Sequence, residues 1–480
     1  MSSFFRNRKD KFNGILTSVF IFCLIFEGFT QSDSLLSPNK FFEAVARNHP
    51  LVKQAGLFIS ASEMEVLESR GQFDPKLLAR FNRKSFDGTE YYNLFNPEIK
   101  VTTLPGIDLK AGFERNTGVY VNGEDNTPQS GLQYLGIGIP LVQGMITDAR
   151  RTTLKQAKIG VQMAEAEKQK QVNIVLFSAA KDYWEWYFKK QELLNAEFAY
   201  RLSNERFQAV QQRIIVGDLA SIDSVEARIF LQDREIFRNQ SRIDELNSRL
   251  LLSTYLWSDD EKPLDIANGV SPEIPPSYLS SLSDSLAKKL MDLASLNHPE
   301  IRKISLKADI LILDRRLSSE MLKPQLNFNY SWLSRTDKNV WATNSIDRNY
   351  KLGLDFSFPV FLRKERGKLG LVKTKIIQNS LNQIQTSREI LMEIKMGFNE
   401  LKNLEKLLVM QTQMVDNYQK LRNAEIRKFE NGESSLFLIN SREAKLIEAL
   451  IKQASLMSKY QKERASLFYS AGRNPLLPLP

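Results

Sequence analysis

Groups suited to metal binding or acid–base catalysis are scarce in this chain of 480 residues, which has two histidines and one cysteine. Each histidine stands in an Asn-His-Pro tripeptide, with no second histidine or cysteine beside it. Asn and His can cap a helix, and proline is tolerated in the first turn because its missing N–H has no partner there. A metal site is the alternative, although such sites combine several ligands. We predict that the tripeptides start helices, with the capping residues Asn48, His49, Pro50, Asn297, His298 and Pro299.

No other combination of residues indicates a reaction. The sequence has no Gly-rich phosphate loop and no Ser-His-Asp pattern, and the acidic pair Asp259-Asp260 lies in a connector where its charges are expected to be solvated. We therefore predict that the protein is not an enzyme and holds no cofactor or metal. The net charge of +10 comes from Lys and Arg scattered among nearly as many Asp and Glu, without a nucleic-acid-binding signature. No nucleic-acid partner is expected.

Landmarks that recur in order indicate a tandem duplication. The tripeptides are 249 residues apart, as are Pro75 and Pro324, whereas Pro140 and Pro359 are 219 apart and Gly217 and Gly432 are 215 apart. One insertion of about 30 residues in the first copy, between Pro75 and Pro140, explains most of the mismatch. We predict repeat 1 over 31–257, a connector over 258–283, repeat 2 over 284–474 and an extended tail over 475–480.

The first 30 residues have the pattern of a secretory signal peptide. Four basic residues precede a largely apolar run of about 12 residues at 15–26, whereas a membrane-spanning helix needs ~20. We predict a signal peptide over 1–30 and an exported protein. Cys23 would leave with this segment, so the mature chain would have no thiol.

Alternating residues predict strands, most clearly in repeat 2. Apolar and aromatic residues occupy every second position of 326–332 and again of 350–358, with polar residues between them. Such two-faced strands suit either a transmembrane barrel or a soluble sheet half-covered by helices. We place strands within 76–139 and 325–358. The longer region in repeat 1 must hold an even number of crossings; we predict two with a long external loop, and four is the alternative.

Long helices follow each strand region. Proline is absent from 141–262 and from 360–474, and Gly217 and Gly432 interrupt these runs. We predict helical hairpins over 141–257 and 360–470, whose first helices have ~70 residues and a length of ~105 Å. The returning helices are about half as long. Helices at 38–70 and 284–322 have the length to stack end to end with them.

The duplicated unit, its Asn-His-Pro, the strand-ending Pro140 and Pro359, and the Gly-x-x-Ser turns resemble the TolC family of outer-membrane efflux proteins. The resemblance covers essentially all of the mature chain. It implies an α+β membrane protein in which each tandem-duplicated chain gives four strands to a trimeric 12-stranded β-barrel. It also implies a long antiparallel coiled-coil α-helical tunnel in the periplasm, docked to a periplasmic adaptor and an inner-membrane pump.

The same resemblance assigns function to the hairpin tips. Adaptor contacts are expected at Val216, Gly217, Asp218, Leu219, Asn431, Gly432, Glu433 and Ser434. Candidates for the periplasmic entrance are Asp223, Phe429, Phe437 and Leu438. Leu438 stands where relatives often have an acidic residue, so we hypothesise that Phe437 and Leu438 form an apolar constriction. The alternative is that these side chains pack within the coiled coil.

A soluble periplasmic adaptor or scaffold is the competing interpretation. It would account for the helices but leave the alternating aromatic strands without a purpose. A channel would remain in the outer membrane of a diderm bacterium after a high-salt or carbonate wash, whereas a scaffold would be released.

Overall fold

A computed structural model describes residues 35–275, 283–336 and 349–474. The predicted signal peptide and tail, and part of the predicted connector, lie outside the described residues. The helices are α1 (Pro38–Asn48), α2 (Pro50–Gly71), α3 (Ala149–Ile215), α4 (Ser221–Ser253), α5 (Asp284–Asn297), α6 (Pro299–Glu320), α7 (Arg363–Glu430) and α8 (Leu436–Ser470). The strands are β1 (Leu35–Leu36), β2 (Lys76–Phe86), β3 (Thr89–Thr102), β4 (Asp108–Thr117), β5 (Leu132–Pro140), β6 (Ser271–Pro272), β7 (Gln325–Arg335) and β8 (Tyr350–Ser357).

Two long helical hairpins determine the length of the molecule. Helices α3 and α7 have 67 and 68 residues, which corresponds to about 100 Å each. The returning helices α4 and α8 have 33 and 35 residues, and helices α2 and α6 pack along the remaining halves of α3 and α7. In repeat 1 the junction is fixed by the Asn48 amide, which donates to the carbonyl of Trp257 at 3.0 Å. The end-to-end arrangement predicted from the lengths is therefore present.

The helices form a single row with two free sides. Near the tips the order is α4-α3-α8-α7, and nearer the sheet it is α2-α3-α6-α7. Within the described residues, α2 and α4 lie at one side of this row and α7 lies at the other. One copy of the chain therefore presents two different helical edges.

The apolar core lies at mid-height, where each repeat adds its short first helix. In repeat 1, Tyr183 and Trp186 of α3 are fully buried against Phe41 and Val45 of α1. The predicted connector contributes here, because β6 pairs in parallel with β1. In repeat 2 the corresponding core joins α5, α7 and α8 around Leu290, Ile394, Leu401 and Leu404. The two repeats thus build equivalent cores from equivalent helices.

The sheet corrects one prediction. It has six strands in the order β2-β3-β4-β5-β7-β8, all antiparallel. Within the described residues, repeat 1 contributes four of them, so the prediction of two strands with a long external loop was wrong, and 76–139 holds the four strands of the alternative. The additional strands are β3 and β4. They form because the Asp87-Gly88 turn, with φ of 52° and 71°, reverses the chain tightly after β2.

Within the described residues, no helix is long and apolar enough to cross a membrane.

Candidate functional site

The two hairpin tips have the same backbone geometry. Gly217 and Gly432 follow the long helices with φ of +80° and +78°, a left-handed conformation that favours glycine. Their N–H groups donate to carbonyls three residues earlier at 3.0 Å, and the following N–H groups donate five residues back at 2.9 and 2.8 Å. These are the bonds of a Schellman cap. The tips are therefore ordered turns.

The candidate adaptor-contact residues surround these turns and are mostly exposed. Val216 has 77% of its surface exposed, whereas Leu219 and Ser434 are half-buried. The carboxylate of Asp218 accepts from Nε of Arg213 at 2.7 Å. The Ser434 hydroxyl donates to Glu425 at 2.6 Å. The side chains of Asp218 and Ser434 therefore hold their own turns, while Val216, Asn431 and Glu433 are exposed.

The candidate entrance residues are in different surroundings. The Asp223 carboxylate accepts from the N–H of Ala220 at 3.1 Å, within its own hairpin. Phe429 is half-buried with the guanidinium of Arg213 5.5 Å from its ring centre, so this residue brings the two hairpins together. Phe437 and Leu438 are 63% and 39% exposed. Within this chain, they are therefore not enclosed in the contact between helices.

A buried charged cluster joins the hairpins further from the tips. Arg206 of α3 donates to Asn440 and, at 2.6 Å, to Glu443 of α8. Arg422 of α7 donates to the same Glu443 oxygen at 3.2 Å. Glu443 and Asn440 are only 6% and 5% exposed. Two guanidinium groups on one buried carboxylate make a contact that is costly to break from one side.

This cluster is not apparent from the sequence, where its arginines are among the many Lys and Arg residues scattered between Asp and Glu. The residues around Glu443 do contain a signal. Ile439 lies four positions before Glu443, and Leu446 and Ile447 lie three and four positions after it, so all three share its side of the helix. A charge at that position of an apolar stripe faces the interior.

A second charged contact holds the tip of the second hairpin. Glu425 accepts from Ser434 in the turn and from Arg442 of α8 at 3.4 Å. The Ser434 hydroxyl, followed by Arg442, keeps the pKa of Glu425 below its usual range. The ionised carboxylate therefore anchors the turn to both helices of its hairpin.

Both histidines act as helix N-caps. The Nδ1 atoms of His49 and His298 accept from the N–H groups two residues later, each at 3.2 Å. Burial lowers the pKa of both imidazoles, which favours the neutral form that an accepting Nδ1 requires. Among the described residues no group of three or more His, Cys, Asp or Glu is placed to hold a metal ion.

The cap in repeat 2 contacts Gly472, just after α8. A Cβ placed on Gly472 would lie 2.7 Å from Cδ2 of His298 and from Cδ of Pro299. The φ of Gly472 is +69°. Its carbonyl accepts from the amides of Gln169 and Asn173 in α3 at 3.3 and 3.0 Å. Only glycine satisfies this close approach.

The sheet has two chemically different faces. Each of the six strands places apolar or aromatic residues on one shared face, with partners such as Leu77–Ile99, Ala111–Leu135 and Phe328–Leu354. Towards the distal end, the same face also carries Arg83, Asn93, Arg115 and Gln133. The other face carries pairs such as Lys100–Lys110 and Asn327–Asp355. It is also the face on which the Tyr134 hydroxyl donates to Glu98 at 2.5 Å and the Lys100 ammonium lies 2.8 Å from Asp108.

Comparison with known proteins identifies the fold. No family model matches the chain, and no curated protein matches it. Over 91% of its length it is similar to the CmeC outer membrane channel of Campylobacter jejuni, with 13% identity, 85% of that chain covered and a TM-score of 0.63. The outer membrane protein VceC of Vibrio cholerae is 13% identical, with 96% of its chain covered and a TM-score of 0.64. The MtrE outer membrane channel of Neisseria gonorrhoeae is 12% identical, with 89% of its chain covered and a TM-score of 0.64. The chain has the TolC-like fold of these channels.

Proposed function

We propose that three copies of this chain form a channel across the outer membrane, with the long helices forming a tunnel in the periplasm. The observation that carries the proposal is the apolar face shared by all six strands. Its members include Leu77, Phe81, Leu352, Leu354 and Phe356, each at least 57% exposed in the single chain. An exposed apolar band that crosses all six strands needs a covering, and lipid supplies one.

The strand lengths fit this role. The six strands have 8 to 14 residues, and a tilted membrane strand needs about 9–11. Aromatic side chains lie at both ends of the apolar face, with Trp332 and Tyr350 paired at one end and Phe356 near the other. Aromatic residues at both borders of an apolar band are typical of outer-membrane barrels.

The free edges favour a ring of identical copies. Strands β2 and β8 are the outermost strands of the sheet, and unpaired edges are not tolerated in lipid. Pairing β8 of one copy with β2 of the next satisfies both edges and repeats around a ring. Three copies is the number that the likeness to TolC-like channels supports.

The helices support the same ring. Helix α4, on one free side, has an exposed apolar residue at every seventh position: Ile222, Ile229, Ile236, Ile243 and Leu250, each at least 51% exposed. Helix α7, on the other free side, exposes Met396, Met410, Met414 and Leu421 by 40% or more. A repeat of seven is the spacing that packs two helices side by side. The stripe on α4 of one copy therefore faces α7 of the next.

The transport role follows from the same arrangement. A water-filled barrel continued by a helical tunnel performs no chemistry, so an inner-membrane pump would supply the energy and a periplasmic adaptor would dock at the tips. The proposed contact surface is the set of tip residues at 216–219 and 431–434, whose exposed turns are ordered. We propose this protein as the exit channel of a tripartite efflux or type I secretion system.

The entrance proposal concerns Phe437 and Leu438. Both are substantially exposed in the single chain, so in a ring they are free to meet neighbouring copies near the axis. An apolar constriction can stop ion flow by excluding water. Placing an acidic residue at position 438 should therefore change conductance and cation block.

Membrane fractionation tests the proposal as a whole. The mature protein should remain in the outer-membrane fraction after a carbonate wash, and detergent-extracted material should have the mass of three chains by light scattering. A monomer released by the wash would contradict the channel and leave a soluble scaffold.

A further inference from the structure

Among the described residues, the hairpin formed by β3 and β4 is the one large element of repeat 1 that has no counterpart in repeat 2. In that part of the chain, repeat 2 contributes β7 and β8 to the sheet, whereas repeat 1 contributes β2, β3, β4 and β5. Residues 87–117 contain the β2–β3 turn and the whole of β3 and β4. The question is whether this hairpin crosses the membrane with the other strands or covers the barrel as an accessory.

The face pattern of the hairpin matches that of its neighbours. Phe95, Ile99 and Leu109 share the apolar face and are 44–48% exposed. Ile99 has the apolar partners Leu77 and Ala111, and Leu109 has Val101 and Ile137. Phe95 is paired with Phe81 on one side and with the charged Arg115, near the distal end of β4, on the other. The polar pair Lys100–Lys110 lies on the opposite face. The apolar face would be interrupted in mid-sheet if the hairpin did not face lipid.

The hairpin also spans the full height of the sheet. Its distal end is the Asp87-Gly88 turn, and its other end, at 103–107, lies beside the start of α3. There, a Cβ on Gly106 would lie 3.3 Å from the Arg151 guanidinium, and Arg150 lies 4.0 Å from Asp108. The turn of the hairpin therefore lies at the helical end of the sheet, and β3 and β4, with 14 and 10 residues, are long enough to cross a membrane as tilted strands.

We propose that β3 and β4 are membrane strands, so that each chain contributes six strands and a trimer closes a barrel of eighteen. The proposal rests on the channel function proposed above and specifies the width of its pore. It replaces the twelve-stranded barrel that the sequence resemblance implied.

The larger barrel matches the helical tunnel. Strands spaced about 4.8 Å apart and tilted about 40° give a backbone diameter of ~36 Å for eighteen strands and ~24 Å for twelve. Twelve helices spaced about 9 Å apart give a ring of ~34 Å. Six strands per chain therefore continue the four-helix row of each chain without narrowing at the junction.

The width indicates the kind of cargo. Barrels of 16–18 strands leave an aqueous channel, whereas small barrels are filled by their own side chains. The inward face here is hydrophilic, with Lys76, Arg80, Lys110, Asp355 and Lys351 among its members. We infer that the barrel passes wide, hydrated cargo, with selection left to the helical entrance.

A deletion provides the first test. Removing residues 87–117 joins β2 directly to the loop before β5 and gives repeat 1 the two-strand form of repeat 2. In electron cryomicroscopy of detergent-extracted protein, the full-length barrel should be about 1.5-fold wider than the barrel of the deletion variant. The proposal would be overturned if the two barrels had equal widths. It would also be overturned by a full-length barrel of twelve strands, whether built from three chains or from two.

A labelling experiment gives an answer even if the deletion variant does not fold. The only native cysteine, Cys23, lies in the predicted signal peptide, so single-cysteine variants have no background. In membranes, Lys110→Cys should react with a charged, water-soluble thiol reagent, whereas its neighbour Ala111→Cys should be shielded by lipid. The pair Asn96→Cys and Phe95→Cys should behave in the same way in β3. Equal labelling of both faces would place the hairpin outside the barrel wall.

The experiments distinguish failure of the eighteen-stranded barrel from failure of the channel proposal. If the protein washes off the membrane as a monomer, the channel itself is excluded. If it remains a membrane-embedded trimer but Lys110→Cys and Ala111→Cys label equally, only the eighteen-stranded barrel is excluded.

Discussion

The two repeats of this protein agree closely in their helices and differ in their strands. The long helices have 67 and 68 residues, the returning helices 33 and 35, and the helices after the histidine caps 22 and 22. Repeat 1 nevertheless contributes four strands to the sheet and repeat 2 contributes two. The difference teaches that the helical row is fixed by packing along its whole length, whereas a sheet can be widened by one hairpin. The extra hairpin therefore widens the sheet of repeat 1 while the helices of the two repeats keep the same lengths.

The contact between the repeats should be most sensitive at Glu443. Glu443→Gln leaves Arg206 and Arg422 buried without a countercharge, which should weaken the association of the two hairpins by about 3–5 kcal/mol. Amide hydrogen exchange at both tips should accelerate. The control Glu448→Gln removes an exposed partner of Lys445 on the same helix, and it should leave exchange unchanged. Equal behaviour of the two variants would contradict a structural role for the buried cluster.

Gly472 and Gly432, which each follow a helix, distinguish the cost of a close contact from the cost of a left-handed backbone conformation. Gly472→Ala adds a methyl group against His298 and Pro299 at a positive φ, which should destabilise repeat 2 by about 2–4 kcal/mol. Gly432→Ala has a similar φ but no neighbouring atom within 4 Å of the added carbon. It should cost about 1 kcal/mol. Thermal unfolding of the two variants measures the difference, and equal losses would show that the contact with the cap is unimportant.

The histidine caps predict a pH dependence shared by both repeats. Burial lowers the pKa of His49 and His298 below the ordinary value of 6.5. At pH values between the folded and the unfolded pKa, the unfolded chain therefore binds more protons than the folded chain. The contribution of the two histidines is fully present above pH 6.5 and is lost as the pH falls towards the lower folded pKa. Each cap contributes about 1 kcal/mol. The double variant His49→Asn, His298→Asn keeps a capping oxygen and should lose this pH dependence in thermal melts. An unchanged profile would exclude the histidines as its source.

At the equivalent position six residues after the glycine, one tip has a charged residue and the other an apolar one. Repeat 1 has Asp223, which caps its helix, and repeat 2 has Leu438. Leu438→Asp should have the smallest effect on stability, because an acidic residue is tolerated in a first helical turn. In a trimer it would place three carboxylates near the entrance and should introduce block by multivalent cations. Unchanged conductance and block would remove the proposed constriction.

Several features were predictable because their signals are local. The tripeptides at 48–50 and 297–299 and the glycines at 217 and 432 mark helix ends by their own conformational preferences. The alternation over 326–332 marked β7 for the same reason. The lengths of the long helices followed from the absence of proline.

The β3–β4 hairpin was missed because its pattern is broken. Pro97 lies within β3, and a proline in a strand argues against that assignment. Arg115 also interrupts the alternation in β4, because it shares the face of Leu109 and Ala111. The Asp87-Gly88 dipeptide was the available signal, since Asp-Gly between strands favours a tight hairpin.

The buried cluster could not be predicted in the same way. Arg206 and Glu443 are 237 positions apart in the chain, and only the packing of α3 against α8 brings them together. The positions of Phe437 and Leu438 relative to a channel axis depend on neighbouring copies. The sequence of one chain specifies neither the packing of α3 against α8 nor the arrangement of neighbouring copies.

The most direct test of the channel is single-channel recording of the mature, detergent-extracted protein in a planar bilayer. We predict discrete, long-lived conductance steps from protein that has the mass of a trimer. Absence of steps from protein that behaves as a monomer and washes off membranes would contradict the channel.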